Sequence, residues 1–130
     1  MEQQGLTLKQ RLAQKNRKLF KTIDVDGDAV DLRRPSHKER LHAMKLSETA
    51  GEIDASNKPT TMEGGLRFVA RVVATVMYEP KSKLRLYDPA ESADVETIMG
   101  APWFEDVMKD AQVAFKGSLK EDIEEARGNS

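Results

Sequence analysis

Leu66-Arg67-Phe68-Val69-Ala70-Arg71-Val72-Val73-Ala74-Thr75-Val76-Met77 is the stretch that decides the fold. It lies in a run from residue 62 to residue 78 whose apolar side chains cover most of a helical circumference. The exceptions, Glu63, Arg67, Arg71, Thr75 and Glu79, are spaced by four. At ~100° per residue such a row drifts by about 40° per step, so it forms a single polar stripe. Its β-branched residues would suit a strand, but a run this long in a small domain argues for a helix. We expect a helix over 62–78, closed by Pro80, that is either the central core element or part of a subunit interface.

Upstream of it, Ile23 and Val25 alternate with Thr22 and Asp24, and Val30 and Leu32 alternate with Asp31 and Arg33. Asp26-Gly27 between them is a tight-turn dipeptide, because both residues accept positive φ. The period-two pattern predicts a β-hairpin with Ile23, Val25, Val30 and Leu32 on one face. Asp24-Val25-Asp26-Gly27-Asp28 also invites a calcium-loop reading, but the spacing fails. Starting at Asp24 puts Gly27 at loop position 4 and Pro35 at position 12; starting at Asp26 puts Asp31 where glycine is required. We expect a turn and no metal.

Ser36-His37-Lys38-Glu39 carries a capping box and starts a helix that stops at Gly51. Residues 54–61 read as a polar loop. Asp88-Pro89-Ala90-Glu91 is a second start signal, for a short helix ending at Gly100. Pro102 opens another, with Phe104, Val107, Met108, Ala111 and Phe115 on one face and Trp103 at its edge. Gly117 is expected to end it, and Ser118-Leu119-Lys120-Glu121 to cap a short acidic helix. At the other end, residues 6–19 suit a basic helix with Leu8, Leu12 and Leu19 in a stripe. The expected organisation is thus a basic helical arm (1–19), a hairpin plus helical core (20–117) and an acidic C-terminal helix (118–130). The fold class is α+β, mainly α with an N-terminal hairpin, in a single compact domain.

Composition narrows the function. The 130 residues hold 21 Lys and Arg against 22 Asp and Glu, a net of −1, which gives no general drive toward nucleic acid or anionic membrane. Without cysteine there is no disulfide, thiolate ligand or thiol nucleophile. His37 and His42 stand five apart, about 140° around a helix, so they do not share a metal. Ser36 beside His37 is explained by capping, and Gly64-Gly65 lacks the Lys-Ser or Lys-Thr of a phosphate loop. The basic arm and Arg33-Arg34 are the best argument for nucleic acid, but no recognition-helix pattern accompanies them. We expect no catalytic site and no cofactor. The longest apolar stretch contains Arg71 and is too short for a bilayer span, and the first residues lack the apolar core of a signal peptide.

The order of elements resembles the tail assembly chaperones of long-tailed bacteriophages. The features that carry the resemblance span about residues 20–116. They are the hairpin ending in Val30-Asp31-Leu32-Arg33-Arg34-Pro35-Ser36, the apolar helix with Arg67 and Arg71, Leu86-Tyr87-Asp88-Pro89-Ala90-Glu91 leading to Val95, and the Pro102-Trp103 helix. The resemblance implies a non-catalytic protein of the host cytoplasm. It would bind the tape measure protein, help recruit tail-tube subunits, self-associate, and leave the finished tail. Trp103, Arg67, Arg71 and Ile123 are then the candidate partner-binding residues. Two alternatives belong to other classes: a structural tail or head-to-tail joining component, and a small DNA-binding regulator.

Overall fold

The hairpin forms as its pattern dictates. β1 (Leu19–Val25) pairs antiparallel with β2 (Asp28–Arg33), Ile23 opposite Val30, and Val25 opposite Asp28 leaves a two-residue loop. Asp26 and Gly27 take φ of 49° and 96°, the left-handed pair that matches the twist of the strands. A bulge at Phe20 shifts the register between Leu19 and Lys21, and the Arg34 guanidinium lies 5.1 Å from the Phe20 ring centre. The computed structural model describes residues 5–13, 15 and 17–128, with 117–128 described as helical backbone alone.

Helices make up most of the rest: α1 (Leu8–Ala13), α2 (His37–Thr49), α3 (Met62–Val76), α4 (Ser92–Met99) and α5 (Phe104–Gly128). A two-residue strand, β3 (Met77–Tyr78), completes an antiparallel sheet of order β1-β2-β3. The fold is helix-dominated α+β, as the sequence predicts. α3 is its centre, packing against α5, α4, α2 and β2. Ala70, Val73, Ala74 and Val76 are fully buried, joined by Leu32, Val95, Ile98, Val107 and Ala111.

Four local expectations are corrected. The first helix does not reach Leu19; it ends at Ala13, and Leu19 opens β1. The apolar helix ends at Val76, because Met77 turns to extended backbone and Met77 and Tyr78 pair with Leu32 and Asp31. Pairing the free edge of β2 satisfies main-chain groups that one more helical turn would leave open. Asp88 does not cap a helix. Its Oδ1 accepts from the Ala90 N–H at 2.8 Å, closing an Asx-type turn, and α4 begins four residues later. Finally, the backbone stays helical through Gly117. A mid-helix glycine costs only about 1 kcal/mol, and Leu119, Lys120, Glu121, Glu124 and Glu125 are all good helix formers.

α2 starts on the expected capping box: Ser36 Oγ accepts from the Glu39 N–H at 3.1 Å, and Glu39 Oε1 accepts from the Ser36 N–H at 2.9 Å. Gly51, at φ 76°, follows its last turn. The apolar residues of α2 are weakly patterned. Its inner face is Arg40, Ala43 and Ser47, spaced three and four apart, and only Ala43 is apolar. Arg40 Nε donates to the Phe115 carbonyl at 2.7 Å, which ties α2 to α5.

Candidate functional site

The polar stripe on α3 divides. Arg67 remains near the surface, where it bridges Glu63 one turn back (3.4 Å) and Glu96 on α4. The hydrogen bond to Glu96 holds its guanidinium more firmly protonated than usual. Arg71 is turned inward at 7% exposure and meets Glu52, itself 3% exposed. Arg71 Nε donates to Glu52 Oε1 at 2.9 Å and Nη2 to Oε2 at 2.8 Å, a two-pronged pair. A third donor, Nη1, reaches the Pro89 carbonyl at 2.7 Å. The pair fastens the loop after α2 and the turn before α4 onto α3. Sequence periodicity placed Arg71 on the polar stripe with Arg67; the structure uses three of its donors inside.

Trp103 precedes the first turn of α5, half-buried against the core cluster, its ring 6.3 Å from that of Tyr87 and tilted by 31°. With Ile23, Val25, Val107, Asp24, Asp26, Asp106 and Asp110 it lines a cavity of about 190 Å³ at the hairpin tip. Asp24 Oδ2 accepts from the Gly27 N–H at 3.2 Å, so this carboxylate braces the turn. Among the described residues, no group of three or more His or carboxylate side chains is arranged to hold a metal ion. Ile123, the remaining candidate, lies outside the described side chains.

Two further concave regions had no counterpart in the sequence reading. A groove of about 210 Å³ runs between α3 and α5, with Phe68, Val69, Val72 and Phe115 as its apolar walls and Pro59, Gln112 and Lys116 at its margin. Phe68 and Phe115 meet edge-to-face at 6.3 Å. One turn ahead of Gly65, Met62 is almost wholly exposed (86%), and Leu66 is exposed beside it. The signal for this groove was present as two apolar helix faces; which parts of them stay uncovered depends on how the helices cross.

The third region, about 450 Å³ and open, lies between the chain ahead of β1 and the start of α2. Lys15, Arg17, Lys18 and Arg34 border it together with Ser36 and Glu39. Arg17 Nε and Nη2 both donate to Glu39 Oε2, at 3.0 and 2.5 Å, and Arg85 Nη2 donates to the same oxygen at 2.9 Å. Burial alone would raise the Glu39 carboxyl, but the hydrogen bonds from Arg17 and Ser36 and the charges of Arg17 and Arg85 hold it below the usual carboxylate range. Burial and the neighbouring Arg34 charge lower the Arg40 guanidinium.

The chain matches no family model, no curated protein and no solved structure. No helix among the described residues is long and apolar enough to cross a membrane.

Proposed function

We propose that this chain is a non-catalytic tail assembly chaperone of a long-tailed phage, binding the helical tape measure protein and assisting tail-tube assembly. The observation that carries the reading is the apolar groove between α3 and α5, with Met62 and Leu66 exposed beside its α3 wall. A groove between two helices, apolar inside and polar at its margin, suits an amphipathic helix that inserts side chains spaced three and four apart. A tape measure protein offers long helices of that kind. The resemblance in element order adds the partner's identity; the groove supplies the physical means.

Co-expression with a tape measure protein of a long-tailed phage, followed by a pull-down, tests the reading. The wild-type chain retains that partner. Met62→Asp/Leu66→Asp, at exposed positions that leave the core intact, loses about 2 kcal/mol of binding, roughly thirtyfold. No retention of the partner by the folded wild-type chain overturns the proposal. Stoichiometric amounts of the chain in purified tails would instead mark a structural component.

The basic region around Lys15, Arg17, Lys18 and Arg34 is the one observation favouring a DNA-binding regulator. That reading requires duplex binding that weakens steeply with salt.

A further inference from the structure

Lys15, Arg17, Lys18 and Arg34 stand together around the open region between the chain ahead of β1 and the start of α2, and Glu39 is the one carboxylate that borders it among the described residues. The backbone beneath these cations is fixed. The Arg34 N–H donates to the Lys18 carbonyl at 2.9 Å, and Arg33 Nη1 donates to the Arg17 carbonyl at 2.7 Å. The segment that carries three of the four cations is thus held in place before a partner arrives, which lowers the ordering cost of binding. In a chain whose net charge is −1, this is a local surplus of positive charge.

Glu39 does not cancel that surplus. Its carboxylate is already engaged by the Ser36 N–H, by Arg17 and by Arg85. Lys15 and Lys18 are exposed, and neither forms an ion pair among the described residues. The start of α2 adds no anion site of its own, because Ser36 Oγ already accepts from the Glu39 N–H. The attraction therefore comes from the side chains of the segment before β1, with Arg34 beside them.

The surroundings decide which anion fits. The ionised Glu39 repels a doubly charged phosphate about twice as strongly as a singly charged carboxylate, since the Coulomb energy scales with the charge. No aromatic ring borders the region, and the nearby Phe20 ring is covered by the Arg34 guanidinium, so nucleobases have nothing to stack on. At about 450 Å³ and open to solvent, the region does not enclose a small molecule as ligand pockets do. An extended chain bearing several carboxylates suits it better.

We propose that this region docks an acidic segment of another protein, a short run of Glu or Asp whose carboxylates pair with Lys15 and Lys18 beside Arg34. The inference does not rest on the chaperone reading and uses a different surface from the α3–α5 groove.

Fluorescence anisotropy of the full chain with labelled hexaglutamate tests it. The wild type binds with a dissociation constant on the order of 10–100 µM, which rises several-fold between about 50 and 500 mM salt as exposed charge pairs are screened. Lys15→Glu/Lys18→Glu raises the constant by about tenfold or more. Lys45→Glu/Lys109→Glu, the same change in net charge at exposed positions on α2 and α5, leaves it within about twofold. Circular dichroism verifies that both variants are folded. No binding of hexaglutamate at about 1 mM overturns the proposal. Equal losses in the two double variants also overturn it, since the attraction would then be diffuse. Tighter binding of a labelled oligothymidylate of about the same charge overturns it in favour of nucleic acid. Glu121→Gln/Glu124→Gln/Glu125→Gln leaves the constant unchanged; a several-fold tightening would make the chain's own acidic stretch the occupant and overturn the docking of another protein.

Discussion

Arg71 and Glu52 show how much a single residue's role depends on its surroundings. A charge pair this buried forfeits most of the hydration of both groups, and good geometry with further hydrogen bonds only offsets that loss. Removing one member is worse than removing both. Arg71→Leu strands the Glu52 carboxylate and should cost about 3–5 kcal/mol. The double variant Arg71→Leu/Glu52→Leu should cost clearly less than the sum of the two single changes. Urea denaturation of the four proteins measures the coupling directly, and additive single effects would mean that the pair contributes nothing as a pair. Periodicity could not have exposed this role. Arg71 sits four residues from Arg67 on the same stripe, and nothing in the spacing tells which of the two faces Glu52.

Among the elements, α3 was legible from its apolar run, but its start holds a constraint that the run does not show. A Cβ placed on Gly64 would lie 2.7 Å from the Glu52 carbonyl oxygen and 3.1 Å from the Glu52 Cα. The loop that carries Glu52 crosses the first turn of α3 too closely for any side chain. At Gly65 the nearest atoms belong to the Pro59 ring, at 3.2 and 3.3 Å, which can give way. Gly64→Ala should therefore destabilise by about 1–3 kcal/mol through backbone displacement. At Gly65→Ala the gain in helix propensity, about 1 kcal/mol, offsets the contact and leaves stability nearly unchanged. Thermal melts of the two variants separate the cases; equal losses would show that the close approach to Glu52 does not matter. Two adjacent glycines at a helix start looked alike in sequence and differ only in what passes over them.

At the scale of the whole molecule, Glu39 is a junction. It caps α2, receives Arg17 from the segment before β1, and receives Arg85 from the loop after β3. Its carboxyl is held below its ordinary value, so its contribution is fully present above the unfolded-state pKa of about 4.3 and is lost as pH falls through the lower folded value. Glu39→Gln keeps the capping box, since glutamine accepts from the Ser36 N–H equally well, but loses the charge-assisted bonds. We expect a cost of about 1 kcal/mol at pH 7, reduced by the exposure of Arg17. That difference from wild type should shrink as pH falls below the unfolded-state value and the carboxylate protonates. Melting temperatures measured as the pH is lowered check the sign, and a difference that grows toward acid would contradict it.

The sequence by itself determined the features written into neighbouring residues. Asp26-Gly27 fixed the hairpin turn, Ser36 and Glu39 the start of α2, and the apolar run the existence of α3 as a helix, because each depends on backbone preference or periodicity within a few residues. The Phe104-Val107-Ala111-Phe115 face of α5 was legible for the same reason. Tertiary structure alone decided which polar groups are inside. Asp31 and Arg33 occupy what reads as the solvent face of β2, yet both are buried, held by Thr22 and by the Arg17 carbonyl. It also decided where α3 stops, since Met77 and Tyr78 leave the helix to pair with β2. The grooves likewise came only from the fold. A concave surface exists between elements distant in the chain, and its shape is set by their packing and not by the pattern of any one of them.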